Sequence, residues 1–230
     1  MNPNIALIHA TYAAVPPVEA AFTQDWPEAT TVSLIAEDLT RMLAEAGHQT
    51  AAIKTRIREL SLFATRANVE GILYTCSAFG DSIEAARHVS NIPILKPNEA
   101  MFEEALELTE ELGGRIGMLI TFEPAISSMT AEFEEMAAKH SAKSTLTTHF
   151  VPGALDALTA GEADKHHQLL AEAAQELPAY DVLMLAQFSM SGAKSQVESA
   201  VNIRVLTSPS SAIAKLKTLI ARKAGPHAAI

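Results

Sequence analysis

Cysteine, basic residues and long apolar runs are all scarce in this sequence of 230 residues. Its single cysteine, Cys76, cannot form an intramolecular disulfide, and 17 lysines and arginines stand against 27 aspartates and glutamates. The formal charge of -10 repels a phosphate backbone, which argues against nucleic acid as a partner. No apolar run approaches the roughly 20 residues that cross a bilayer, and no basic segment precedes the first apolar run. We therefore expect a cytoplasmic protein without a membrane partner.

Patterns that hold nucleotides or metals are missing as well. Neither Gly-x-Gly-x-x-Gly nor the P-loop pattern follows any of the apolar runs, and the ten glycines are scattered. His166 and His167 lack metal-site spacing, so we interpret them as a solvated helix start. The acidic residues of 103–111 alternate with apolar ones, as on an amphipathic helix with a solvated face. The sequence predicts no cofactor and no metal.

Short runs rich in valine, isoleucine and leucine recur between longer helix-period segments, which is typical of buried parallel strands joined by helices. An α/β fold follows, with two similar lobes that each contain a mainly parallel four-stranded sheet flanked by helices. The predicted strands are residues 4–9, 30–35, 69–75, 92–95, 115–121, 144–150, 182–186 and 203–207. The predicted helices are residues 77–89, 98–112, 124–140, 162–177 and 208–223.

The pair Gly113-Gly114 divides the chain into an N-terminal lobe, 1–112, and a C-terminal lobe, 113–207. The helix 208–223 could pack back on the first lobe. Residues 224–230 are expected to form a frayed tail. Residues 36–67 contain either two helices broken near Gly47 or one long crossover. The pattern does not choose between these two.

Cys76 stands between a predicted buried strand and a predicted helix. A helix N-terminus favours thiolate and lowers the pKa of a free thiol below its usual value of about 8.5, which makes a base or nucleophile available. The alternative is structural, because a lone cysteine commonly serves as a small buried hydrophobic residue.

Uncharged hydrogen-bonding side chains also follow several predicted strands, and such donors suit the carboxylate of a small acid. Each hydroxyl could instead cap the helix that follows it. His9, at the end of the first strand, has two roles open: an acid, base or carboxylate donor, or a structural hydrogen bond. The other residues of this set are Thr11, Thr75, Ser77, Thr121, Gln187 and Ser189.

Four segments in chain order resemble the aspartate/glutamate racemase superfamily, which includes hydantoin racemases, maleate isomerases and arylmalonate decarboxylases. They are residues 73–80 (LYTCSAFG), 95–101 (LKPNEAM), 151–155 (VPGAL) and 185–190 (LAQFSM). The resemblance implies two similar α/β lobes with the active site between them, chemistry without a cofactor, and a homo-oligomer. It also implies that one cysteine removes a proton beside a carboxylate while a second cysteine reprotonates the other face.

Cys76 matches the first of these cysteines, whereas the second position falls on Gln187, which cannot act as a general base. The resemblance implies Cys76 and Gln187 as catalytic residues. The residues implied for substrate binding are His9, Thr11, Thr75, Ser77, Ala78, Thr121, Phe188 and Ser189. We expect a cofactor-independent racemase or isomerase that acts beside the carboxylate of a small acid. A one-cysteine decarboxylase of a malonate-type acid and a non-catalytic protein that binds small acids are the alternatives.

Overall fold

The structure is a computed structural model that describes residues 2–110 and 114–224, and it divides into two compact units. The first unit comprises the chain up to Ala100 together with the residues from Ala212 onward, and the second comprises Met101 to Ser211. The predicted boundary lay instead at 112 and 113. The chain passes between units within two helices, so the division depends on packing rather than on a loop. Gly113 and residues 225–230 of the predicted tail lie outside the described residues.

The first unit contains a four-stranded parallel sheet with strand order β2-β1-β3-β4. The strands are β1 (Asn4–His9), β2 (Thr30–Ile35), β3 (Gly71–Tyr74) and β4 (Ile94–Leu95). The helices are α1 (Val15–Asp25), α2 (Asp38–Ala46), α3 (Ala51–Arg66) and α4 (Gly80–Ala86). Gly47 ends α2 at a φ of 71°, a left-handed conformation that glycine adopts without strain. Of the two alternatives for residues 36–67, the pair of helices is the one present.

The second unit repeats this topology with strand order β6-β5-β7-β8, again all parallel. The strands are β5 (Arg115–Ile120), β6 (Thr145–Phe150), β7 (Val182–Leu185) and β8 (Arg204–Thr207). The helices are α5 (Glu99–Thr109), α6 (Ile126–Lys139), α7 (Ala154–Thr159), α8 (Ala163–Gln175), α9 (Lys194–Val201) and α10 (Ser208–Ala224). The division between the units falls inside α5 and inside α10.

All eight predicted strands are present and the predicted α/β class is confirmed. The central strands β1, β3, β5 and β7 are almost wholly buried, while the edge strands β2 and β6 alternate between exposed and half-buried residues. The backbone of Gly117 in β5 lies so close to the Tyr180 ring that a Cβ atom at this position would stand only 2.7 Å from it. These buried strands carry the candidate residues to the carboxyl edge of each sheet, where open parallel sheets bind ligands.

Candidate active site

Cys76 lies two residues beyond the end of β3, in extended backbone (φ -122°, ψ 119°). It is followed by a single 3-10 turn, Ser77–Phe79, and then by α4. Its side chain is half-buried and free of any disulfide. The predicted continuous helix 77–89 is therefore divided into a turn, a short α-helix and a second 3-10 turn, Arg87–Val89.

The pKa of the Cys76 thiol is raised, because burial disfavours the charged thiolate more than its surroundings stabilise it. The backbone N–H of Ala78 acts in the opposite direction by hydrogen-bonding the sulfur. The prediction that the following helix lowers this pKa is wrong, since burial outweighs the donor of one short turn. The resting group at neutral pH is a thiol that carries a proton.

Three of the predicted carboxylate-binding residues of the first unit are open to solvent. Thr11, Ser77 and Ala78 are exposed. Thr11 precedes the 3-10 turn Tyr12–Ala14, and its side chain makes no capping hydrogen bond to that turn. The helix-capping role that its position also allowed is therefore absent, and its hydroxyl is directed at no backbone group of the turn.

His9 and Thr75 are buried partners at the carboxyl ends of the neighbouring strands β1 and β3. His9 Nδ1 lies 2.9 Å from the Thr75 hydroxyl, and His9 Nε2 lies 3.4 Å from the hydroxyl of Ser33 on β2. Burial lowers the pKa of His9 to about 4, although the Glu19 carboxylate opposes this shift. At neutral pH the imidazole is uncharged and both ring nitrogens have hydroxyl partners, so His9 holds three strands together.

In the second unit, Gln187 follows β7 by two residues and is oriented by Thr121 at the end of β5. The side-chain oxygen Oε1 accepts hydrogen bonds from the Thr121 backbone N–H, at 3.0 Å, and from the Thr121 hydroxyl, at 3.2 Å. The amide nitrogen Nε2 is buried, and no described residue accepts a hydrogen bond from it. Both hydrogen-bond donors of Thr121, its backbone N–H and its hydroxyl, therefore donate to Gln187 Oε1. The two N–H groups of Gln187 Nε2 have no acceptor among the described residues.

The residues that follow Gln187 form a 3-10 segment, Phe188–Ala193. The Gln187 backbone carbonyl accepts from the Met190 N–H at 3.0 Å, and this closes its first turn. Phe188 is buried at 6 % exposure, whereas Ser189 is half-buried. Phe188 therefore packs inward, and Ser189 is the more accessible of the two.

Thr207 is a candidate residue that the sequence analysis did not include. It ends β8, which pairs with β7 in a register that sets Leu185 beside Thr207. The residue is 1 % exposed, and its hydroxyl has no hydrogen-bond partner in the described part of the chain. Its signal was available in the sequence, because a hydroxyl residue directly after a buried apolar run is the pattern that selected Thr75 and Thr121.

His166 is wrongly predicted as part of a solvated helix start. It is fully buried in α8, its ring packs against His167 at a centroid distance of 5.4 Å, and neither ring nitrogen has a partner among the described residues. Burial, together with the neighbouring His167, lowers its pKa to about 4. Sequence spacing showed two polar residues at a helix start but not that the first faces the core.

A buried carboxylate also follows β4 in the first unit. Glu99 is 2 % exposed and pairs with Arg87, while Lys215 Nζ lies 3.9 Å from its second oxygen. The charge of the Glu99 carboxylate is thereby compensated at the start of α5. Across the described ranges, 2–110 and 114–224, no three histidine, cysteine or acidic side chains are grouped to hold a metal ion. None of the helices described there is long and apolar enough to cross a membrane.

Comparison with known proteins gives both a family and a fold. The sequence profile of the Asp/Glu/hydantoin racemase family matches residues 1–216. No curated protein sequence matches the chain. An allantoin racemase from Klebsiella pneumoniae is similar in structure, with a TM-score of 0.67 at 15% identity, covering 96% of this chain and 89% of that chain.

Two further solved structures share the fold. A glutamate racemase from Francisella tularensis in complex with D-glutamate has a TM-score of 0.62 at 12% identity, over 97% of this chain and 82% of that chain. An unliganded arylmalonate decarboxylase has a TM-score of 0.66 at 14% identity, over 95% of this chain and 92% of that chain. At such low identities the likeness establishes the fold alone.

Proposed function

The chain belongs to the Asp/Glu/hydantoin racemase family, and from that premise we propose that it is a cofactor-independent racemase or isomerase of a small carboxylic acid. In this proposal Cys76 exchanges a proton with, or adds to, the carbon beside the carboxylate. The supporting observation is the placement of the only cysteine at the carboxyl end of β3, half-buried and beside the Ala78 N–H. Family membership supports the proposed reaction class, and this geometry supports Cys76 as the residue that carries it.

Exposed hydroxyl groups that follow β1 and β3 are suited to hold the substrate carboxylate. Thr11 and Ser77 offer hydroxyl donors, and neither side chain is buried. Donors placed beside the reacting carbon stabilise the negative charge that develops when its proton leaves. His9 and Thr75 would contribute indirectly, because their hydrogen bond holds the backbone that enters Cys76.

Two routes need only one thiol. In racemisation, the Cys76 thiol first loses its own proton to water, and the resulting thiolate takes the proton from the carbon beside the carboxylate. A group other than cysteine must return a proton to the opposite face. In cis/trans isomerisation, the thiolate adds to one alkene carbon, and the electron pair of the broken π bond moves to the neighbouring carbon as an enolate of the attached carboxylate. The molecule rotates about the resulting single bond, and return of the electron pair expels the thiolate and restores the alkene. Gln187 cannot be the second base, since an amide does not accept a proton at neutral pH.

One observation favours a decarboxylase as the second candidate. The raised pKa of Cys76 keeps its proton in place, which suits a donor better than a base. Carbon dioxide would leave a malonate-type acid, and the electron pair of the broken bond would remain as an enolate. The Cys76 thiol would then protonate the carbon, and water would return a proton to the thiolate.

The test is NMR in deuterium oxide with a panel of small acids: aspartate, glutamate, hydantoins, malonates and maleate. The native protein is compared with Cys76→Ala and with Ser127→Ala, an exposed control on α6. We expect deuterium incorporation, isomerisation or loss of carbon dioxide with the native protein and the control. Loss of acid–base catalysis typically costs about 10²–10⁴ in rate, so Cys76→Ala should fall by that factor.

Two outcomes would overturn the proposal. Unchanged turnover in Cys76→Ala removes the thiol from the reaction. An absence of turnover, combined with a rise in melting temperature when small acids are added, would identify the non-catalytic binding protein instead, since a ligand that binds only the folded state stabilises it.

A further inference from the structure

The carboxyl edge of the second sheet carries two buried polar groups that the fold leaves without partners. Gln187 contributes two N–H donors through Nε2, and Thr207 contributes a hydroxyl on the neighbouring strand. No described residue bonds either group. Buried polar groups in folded proteins almost always have a partner, so each exception needs an explanation.

The orientation of the Gln187 amide is fixed by its neighbour. The Thr121 backbone N–H can only donate, so the amide atom 3.0 Å from it is the oxygen. Turning the amide over would set its NH₂ group against this N–H, donor against donor, and lose that bond. The Thr121 hydroxyl, at 3.2 Å, could accept in place of donating and so does not decide the orientation. The free end of the side chain is therefore a pair of donors, and it is held in place.

Such a group selects its ligand chemically. Two uncharged N–H donors, with a hydroxyl on the adjacent strand, match an oxygen that accepts hydrogen bonds and carries negative charge. The resemblance implies a cysteine at this position, whose thiol would offer one weak donor and could transfer a proton. A glutamine there can donate two hydrogen bonds but cannot transfer a proton, so it suits binding.

We infer that Gln187, positioned by Thr121, binds a carboxylate or enolate oxygen of a small acid through Nε2, with the Thr207 hydroxyl as a second donor. The inference rests on the proposed function for the identity of the ligand as a small acid, but the amide geometry stands without it. It makes Gln187 a binding residue of the second unit.

The test measures binding without turnover. Malonate and maleate are titrated calorimetrically into Cys76→Ala and into the same protein with Gln187→Glu, which keeps the oxygen that accepts from Thr121 but replaces the NH₂ donors by a charged acceptor. The control is Gln175→Glu, the same charge change at an exposed position in the same unit. Circular dichroism verifies that each variant is folded.

We expect Gln187→Glu to weaken binding by about tenfold or more, because a hydrogen bond to a charged group is worth at least that factor. Gln175→Glu should bind within about twofold of the parent. Thr207→Val, which removes only the hydroxyl, should weaken binding by a smaller factor than Gln187→Glu.

The inference is overturned if Gln187→Glu binds as tightly as the control, or if neither acid binds the parent. Its failure can be told apart from that of the proposed function. Unchanged binding in Gln187→Glu with turnover that requires Cys76 rejects the inference alone. Binding that responds to Gln187, without any turnover that requires Cys76, rejects the proposed function alone.

Discussion

The hydrogen bond between His9 and Thr75 joins two strand ends that are 66 residues apart in the chain. Both residues are buried, and Thr75 directly precedes Cys76. A hydroxyl at this position gives the imidazole a partner that water cannot supply, because His9 is fully buried. The pair therefore determines how firmly the backbone before Cys76 is held.

We predict that Thr75→Val destabilises the protein by about 1–3 kcal/mol, the usual cost of leaving a buried polar group without its partner. Valine keeps the shape and the β-branch, so the effect isolates the hydroxyl. Thr75→Ser, which keeps the hydroxyl and loses a methyl group, should cost about 1 kcal/mol. Urea unfolding followed by fluorescence of Trp26, the only tryptophan, measures both. Equal losses in the two variants would show that the hydrogen bond contributes nothing.

At the residue scale, the sequence located the candidate groups but not their environments. Strand ends selected Cys76, Thr121 and Gln187, because a buried apolar run that stops at a polar residue marks the edge of a parallel sheet. The direction of the Cys76 pKa shift and the burial of His166 were predicted wrongly. Both depend on packing against residues distant in sequence, which no local pattern contains.

At the scale of elements, strands were easier to predict than helices. Buried parallel strands are continuous apolar runs, so even the two-residue β4 was located. Helices α1, α7 and α9 were not predicted, although the structure contains all three. α1 begins Val15-Pro16-Pro17, where prolines suggest a turn but are tolerated in a first helical turn, since the N–H groups there need no partner within the helix. α9 follows a long 3-10 segment that obscures its period.

Helix α8 carries a pH-sensitive group in His166. Its folded pKa of about 4 lies below the unfolded value of about 6.5, so the unfolded state binds more protons between these values. Burial of the neutral imidazole therefore leaves the free energy of unfolding at its full value above pH 6.5, and this free energy decreases as the pH falls toward 4. The loss is on the order of 3 kcal/mol at about 1.4 kcal/mol per pKa unit.

We predict that His166→Leu leaves stability at pH 7 unchanged or higher and flattens its decline between pH 6.5 and 4. Leucine removes two buried ring nitrogens that lack partners and the proton uptake with them. Urea unfolding followed by circular dichroism across this pH range measures the slope. His140→Leu, at an exposed position just after α6, is the control and should keep the native slope. Identical slopes for His166→Leu and the native protein would contradict the prediction.

At the scale of the whole molecule, the first unit is built from two separate stretches of the chain. The part of α10 from Ala212 onward belongs to it. Lys217 donates to the Asp25 carbonyl and lies over the Trp26 ring at 5.5 Å, and Lys223 donates to the Asn91 carbonyl at 3.1 Å. Composition cannot reveal such a division, because the glycine pair that suggested the boundary is a local signal and the units are defined by long-range packing.

The contact of α10 with β3 supports the strand that leads to Cys76. Leu216 is fully buried, and its Cδ2 methyl group stands 3.0 Å from the position that a Cβ on Gly71 would take. We predict that Leu216→Ala destabilises the first unit by about 2–5 kcal/mol, the usual range for a buried leucine. Leu108→Ala, at an exposed leucine of the second unit, should cost no more than about 0.5 kcal/mol.

Trp26 makes these two variants directly comparable, because it lies in the first unit and is nearly buried. Its fluorescence transition should move to lower urea in Leu216→Ala and stay in place in Leu108→Ala. Leu216 lies against the start of β3, so its loss should also make the end of this strand, and Cys76 after it, more mobile. Cys76 should then react faster with a thiol reagent at urea concentrations below those of the unfolding transition. Coincident transitions and equal thiol reactivity in the two variants would show that the C-terminal helix does not hold this strand.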